Sequence, residues 1–257
     1  MINLEKCKDE FIKYTEQFDL EEIKLKRKQL HSLRVMQISN MIARSLDLTE
    51  EEIQIATLIG LLHDVGRFAQ YKKYKTFQDS KSIDHADLGV EILQENDYIK
   101  KFLQDEIWID TILIAIKNHN KYKIEKGLNK KKEIFCKIIR DADKADIMFE
   151  GANIFWNNPS EIREIETAKL NSLLYQTVKK HKMIERKKLD KESGLDSMII
   201  MLCFVFDLNF RKTFQIIEEQ KSIDTIFNKF KFEDDQTKKY VTEIQNTITQ
   251  YIKENEG

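Results

Sequence analysis

Apolar side chains recur along this chain at intervals of three and four residues, with runs rich in Lys and Glu between them. That is the spacing of helices with one buried face. It predicts a first helix over residues 4–18, a second over 20–46, and a third opened by a capping box of Thr49 and Glu52. Further helices are expected over 84–95, 104–118 and 132–150. Beyond 151 the pattern stays helical: Asn158-Pro159 marks one helix start, Gly194 and Asp196 precede an apolar helix near 198–206, and two amphipathic helices follow. Gly66 is placed to end the third helix, and over 67–82 the pattern breaks into what reads as a polar, aromatic connection.

Composition supports the same fold class. Seven Gly and one Pro in 257 residues disfavour a turn-rich β protein, so the expectation is an all-α chain. With no repeat, no low-complexity linker and no clear boundary, residues 1–257 read as a single all-α domain. The 43 basic and 44 acidic residues nearly cancel, so the total charge gives no push towards nucleic acid or a membrane surface, and any anion recognition must be local. The longest apolar run, 198–206, is too short to span a bilayer, and no signal-peptide core is present. Three scattered cysteines, Cys7, Cys136 and Cys203, suit a reducing cytoplasm and offer no CxxC metal pair.

The histidines change the picture. His31 continues the row Val35, Ile38, Ile42, and His63 continues Ile55, Ala56, Ile59. His85 shares a face with Leu88, Gly89 and Ile92, and His119 extends Trp108, Ile112, Ala115 and Ile116. A histidine in the first turn of a helix, as His85 would be, is kept neutral by the positive end of the dipole, and neutral imidazole is the metal-binding form. Asp141 interrupts the stripe Ile134, Ile138, Ala145, Met148, where a charge needs a metal, an Arg or several donors. Asp143 and Asp146 point off that stripe and read as solvent-facing or supporting residues, and His181, among lysines, reads as solvated. Core packing explains one or two histidines on apolar faces. Four, with Asp64 and Asp141, are better explained by convergence on one centre, and such a set suits two metal ions bridged by Asp64. Directly after His63-Asp64 come five cations and four aromatic rings in sixteen residues; Arg67, Tyr71, Lys72 and Lys75 are candidates for holding an anionic ligand.

The order of a first His, a later His-Asp and a final Asp resembles the HD superfamily of metal-dependent phosphohydrolases. The motif LLHDVGR (61–67) resembles that family's signature, and RDADKAD (140–146) resembles the segment carrying its last ligand. His85 and His119 match the two additional histidines of the subgroups with two metals. The resemblance implies an HD-type helical bundle over about residues 20–150; the additional helices over 151–257 match no named pattern and are expected either to cap the site or to build a homodimer. It implies one ion on His31, His63, Asp64 and Asp141, and a second on Asp64, His85 and His119. The ions would be divalent Fe, Mn, Zn, Co or Ni, and the reaction would be hydrolysis of a nucleotide or similar small phosphate ester by activated water. Arg67 stands where many members have lysine and would hold phosphate bidentately, with Lys144 a further candidate. The segment NKYKIEKGL after His119 lacks the acidic DG and GYP elements of the cyclic-di-GMP phosphodiesterases, which argues against that substrate. Two other functions fit the same ligands: a mixed-valent di-iron oxygenase, and a non-catalytic helical module that senses a ligand.

Overall fold

The computed structural model describes residues 2–256 except 104, 185–188, 190 and 191; part of the basic run 179–188 therefore lies outside the described residues. Among the described residues there is no strand, in keeping with an all-α chain. The chain divides into two compact units, Met1–Asp143 and Lys144–Gly257.

The first unit contains α1 (Leu4–Thr15), α2 (Ile23–Arg44), α3 (Glu50–Leu62), α4 (Val65–Tyr74), α5 (His85–Gln94), α6 (Ile109–Asn118) and the start of α7 (Lys130–Asn153). Helices α2 and α3 pack along each other, and α4, α5 and α6 follow in succession, each against the last. Local chemistry sets the starts. Both halves of the Thr49/Glu52 capping box form, and Asp84 accepts from the backbone N–H groups of Ala86 and Asp87 to open α5 at His85. The core joins Val35 and Ile42 of α2 to Ile55, Leu58, Ile59 and Leu62 of α3, with Phe68, Leu93, Ile112 and Ile116 completing it.

Residues 67–82 differ from expectation. Most of this stretch is not a connection: α4 runs to Tyr74, and a short 3-10 turn, Asp79–Lys81, follows. Phe68 and Tyr71 are buried three residues apart while Lys72 and Lys73 are exposed, so the stretch is a short amphipathic helix whose lysines hid its period. Gly66 does not end α3; it lies in the first turn of α4. A Cβ there would sit 2.2 Å from the carbonyl oxygen of His85 and 2.7 Å from the backbone N of Gly89, so only glycine lets α4 approach α5 this closely.

The second unit carries the end of α7 and α8 (Pro159–Thr167), α9 (Ser172–Lys179), α10 (Gly194–Leu202), α11 (Arg211–Glu219), α12 (Ser222–Asn228) and α13 (Asp235–Glu256). Pro159 occupies the first turn of α8 behind the Asn158 cap, and Ser193 with Asp196 forms a second capping box. Three helices follow α10 where two were expected, because the short α12 breaks the amphipathic run. His181 is exposed, as its basic surroundings suggested, and its ring stacks on Phe206 at 5.4 Å between centroids. No helix of the described residues is long and apolar enough to cross a membrane.

Candidate metal centre

His63 and Asp64 form the joint between α3 and α4, His63 as the residue closing one helix and Asp64 as the residue preceding the next. His119 closes α6 in the same way. Carbonyls in a last helical turn have spare capacity to accept a hydrogen bond, and both histidines use it. His63 Nδ1 donates to the Gly60 carbonyl at 2.8 Å, and His119 Nδ1 donates to that of Ile116 at 2.6 Å. A carbonyl can only accept, so the proton sits on Nδ1, and each ring, when neutral, turns a bare Nε2 lone pair inward. His85 is anchored equivalently by a carboxylate, its Nδ1 lying 2.7 Å from Asp79 Oδ2.

These nitrogens converge. His31 Nε2 and His63 Nε2 are 3.3 Å apart, and His85 Nε2 and His119 Nε2 are 3.0 Å apart. Asp64 serves both pairs: Oδ2 lies 3.6 Å from His31 Nε2 and His63 Nε2, while Oδ1 lies 3.3 Å from His85 Nε2 and 3.6 Å from His119 Nε2. All four imidazoles and Asp64 are buried. Burial lowers the affinity of His63 for a proton and brings the pKa of His85 down to about 4, so both are neutral near pH 7. Facing lone pairs at such distances repel unless a cation lies among them. The donor set therefore fits divalent metal ions. Among the overlapping groups that could each hold one are His31, His63 and Asp64; His63, His119 and Asp143; and Asp64, His85 and His119.

The third acidic position departs from the sequence reading. Asp141 is buried but belongs to none of the His/Asp groups found among the described residues, whereas Asp143 Oδ1 lies 3.1 Å from His31 Nε2 and 3.6 Å from His63 Nε2. Two residues along a helix is a rotation of about 200°, so the two aspartates occupy opposite faces of α7. An apolar stripe could not tell them apart because α7 is enclosed nearly all round: Ile138, Ile139, Arg140, Asp141, Ala142 and Ala145 are all buried.

Cations surround Asp64. Lys28 Nζ sits 2.8 Å from Oδ2, and Arg67 Nε lies 3.6 Å from Oδ1. Burial alone would raise the Asp64 pKa, but the Lys28 ammonium, His63 and Arg67 outweigh it and hold the carboxyl well below its usual range. The Arg67 Nη1 group is committed to Gln70 Oε1, the Phe77 carbonyl and Asp79 Oδ1, at 2.9, 2.6 and 2.8 Å. Its Nε is buried and has no hydrogen-bond partner among the described residues, so this donor lies beside Asp64.

The other expected contacts have the following surroundings. Tyr71 is buried against Phe77, with the Lys24 and Lys75 ammonium groups over its ring at 5.7 and 5.8 Å. Lys72 extends over Phe18 at 5.6 Å, and Lys144 pairs with Asp207 in the second unit at 2.7 Å. None of Tyr71, Lys72, Lys75 and Lys144 is among the ion-pair or hydrogen-bond partners described for Asp64. Lys28 and Asp79 escaped the sequence reading, and Asp143 reads there as a solvent-facing or supporting residue. Lys28 precedes His31 by one helical turn, a spacing that could have placed it on the same face.

An all-helical domain with a buried centre of imidazoles and carboxylates is thus a metal-binding helical domain. Residues 30–148 match the family model of the HD domain, a segment holding all six of these side chains from His31 to Asp143. Over that segment the chain is similar to the HD domain, a family whose members are mostly metal-dependent hydrolases. Neither the curated proteins nor the solved structures gave a match to the chain.

Proposed function

We propose that this protein is a metal-dependent phosphohydrolase that cleaves a phosphate ester of a nucleotide or similar small phosphorylated metabolite at a two-ion centre. The observation that carries this reading is the division of Asp64, with one carboxylate oxygen towards His31 and His63 and the other towards His85 and His119. His31, His63, Asp143 and Asp64 Oδ2 would hold one ion; His85, His119 and Asp64 Oδ1 would hold the other. When bound, such ions supply an acidified water and neutralise charge on phosphoryl oxygens. The protein supplies the rest. The imidazoles of His63, His85 and His119, fixed through Nδ1, keep their Nε2 atoms aligned without rearrangement. The unpartnered Arg67 Nε and the Lys28 ammonium offer positive charge beside Asp64, where a phosphate would arrive. The Phe77 ring, with Lys28 and Arg67 within 6.0 and 5.8 Å of its centroid, offers an apolar face beside those cations, which favours a substrate that joins phosphate to a planar base.

The test is metal analysis of protein purified without oxygen, followed by assays of phosphate and nucleoside release across a nucleotide panel with Mn, Fe, Co or Ni. Two ions per chain and release that falls more than about a hundredfold in Asp64→Ala are expected. Full activity in Asp64→Ala would rule out this chemistry. Iron with substrate-dependent oxygen uptake would select the oxygenase instead, and stoichiometric metal without turnover would select the sensing module.

A further inference from the structure

The joint between α4 and α5 holds a carboxylate to which the proposed reaction assigns no part. Asp79 opens the 3-10 turn Asp79–Lys81, and its two oxygens have different partners. Oδ2 accepts from His85 Nδ1 at 2.7 Å and from Asn120 Nδ2 at 3.3 Å. Oδ1 accepts from Arg67 Nη1 and from Gln70 Nε2, each at 2.8 Å. Burial would raise the pKa of Asp79, but the hydrogen bond from His85 and the charge of Arg67 outweigh it, so the carboxyl is ionised at neutral pH.

What matters is where the far ends of its two main partners lie. His85 Nε2 is 3.3 Å from Asp64 Oδ1, and Arg67 Nε is 3.6 Å from that same oxygen. One side chain is a proposed metal ligand and the other the proposed phosphate contact. Both are gripped from behind by Asp79, and both meet at one oxygen in front. Gln70 strengthens this base: beyond Asp79 it donates to Ser82 Oγ and the Ile83 carbonyl, tying the turn to α4.

We infer that Asp79 is a positioning residue that couples the two halves of the site, orienting His85 for its ion and Arg67 for the substrate phosphate through a single carboxylate. The inference rests on the two-ion reading above. A carboxylate behind an imidazole fixes the tautomer and raises the basicity of the ligating nitrogen, and loss of such a partner weakens metal binding about 10–100-fold. Because Oδ1 also holds Arg67, the same loss weakens substrate binding, a pairing that a purely structural residue would not produce.

The experiment titrates the metal-free full-length protein with Mn(II) or Co(II) by calorimetry, for wild type, Asp79→Ala, Asp79→Asn and Asp79→Glu. Circular dichroism of the metal-free forms checks that each variant folds. In Asp79→Ala one ion is expected to bind as in wild type and the other about 10–100-fold more weakly, with a raised KM as well as a lowered kcat in the phosphate-release assay. Asp79→Asn keeps the side-chain size but offers only one accepting oxygen; it is expected to share the weakened site, and it decides the matter should the alanine variant not fold. Asp79→Glu, which keeps the carboxylate, is expected to recover part of both effects. Two ions bound with wild-type constants in both Asp79→Ala and Asp79→Asn would overturn the inference and leave the proposed function intact. A wild-type protein that binds fewer than two ions would overturn the two-ion reading and the inference with it.

Discussion

At the scale of single residues, the centre depends on groups held in the charge state that a metal requires. His63 and His85 are neutral because burial opposes their protonation, and the ordinary histidine value of 6.5 falls to about 4 for His85. In the metal-free protein the unfolded chain then binds more protons than the folded one between those values, so stability falls as pH drops below about 6.5 and levels near 4. For His85 alone the loss is roughly 3 kcal/mol, measurable as a falling denaturant midpoint. Asp64, held below its usual range, acts in the same sense at lower pH, its contribution being lost as pH falls through its depressed value. A midpoint that stays constant or rises as the metal-free protein is acidified from pH 7 to 4 would contradict this. The aspartates of α7 give a second expectation. Asp143→Ala should weaken one ion by at least tenfold in a metal titration, while Asp141→Ala should keep both ions and lower stability by about 1–3 kcal/mol through loss of a buried, partnered carboxylate. The convergence of His31, His63, His85 and His119 was legible in the sequence because each continues an apolar stripe, where a polar group has to be explained, and Asp64 because it adjoins His63. Asp143 was not, because a helix buried on most sides has no stripe that marks the face turned to the centre.

At the scale of elements, the centre is made at helix ends. His63 and His119 each close a helix and use its last carbonyls, His85 opens one, and Asp64 stands between two. Gly66 sets the approach of α4 to α5 and so the reach of His85 towards Asp64. Gly66→Ala forces a Cβ into backbone atoms, which cannot swing aside as a side chain can; it is expected to destabilise the fold by about 1–3 kcal/mol and to weaken the ion at His85 and His119. Unchanged thermal stability together with unchanged metal affinity would refute that role. The helix starts at Thr49, Asp84 and Asn158 were readable because caps follow local chemistry. Helix α4 was not, since Gly66 at its start and the cluster of Lys and Tyr at its end both read as breaks while Phe68 and Tyr71 carried its buried face. Asp79 escaped because its importance arises from a turn that folds back on His85 and Arg67, a relation that no spacing along the chain encodes.

At the scale of the whole molecule, the division between the two compact units falls within α7, after Asp143, and the family match ends at 148. Lys144, expected at the phosphate, pairs with Asp207 of the second unit. Lys144→Met is therefore expected to cost that unit about 1–3 kcal/mol of stability while leaving metal stoichiometry unchanged, as a thermal melt beside a metal analysis would record. The all-α class was legible from few breakers and helical spacing, whereas the role of residues beyond 151 was not, because their capping and packing patterns specify helices without naming a ligand. The claim on which the rest depends is that Asp64 joins two ion sites. Its most direct test is the metal stoichiometry of the wild-type protein against Asp64→Ala, titrated with Mn(II) under the same conditions. Two ions in the wild type, with both sites weakened in Asp64→Ala, are the predicted result; a single wild-type site, or a variant that binds two ions as tightly as the wild type, would contradict it.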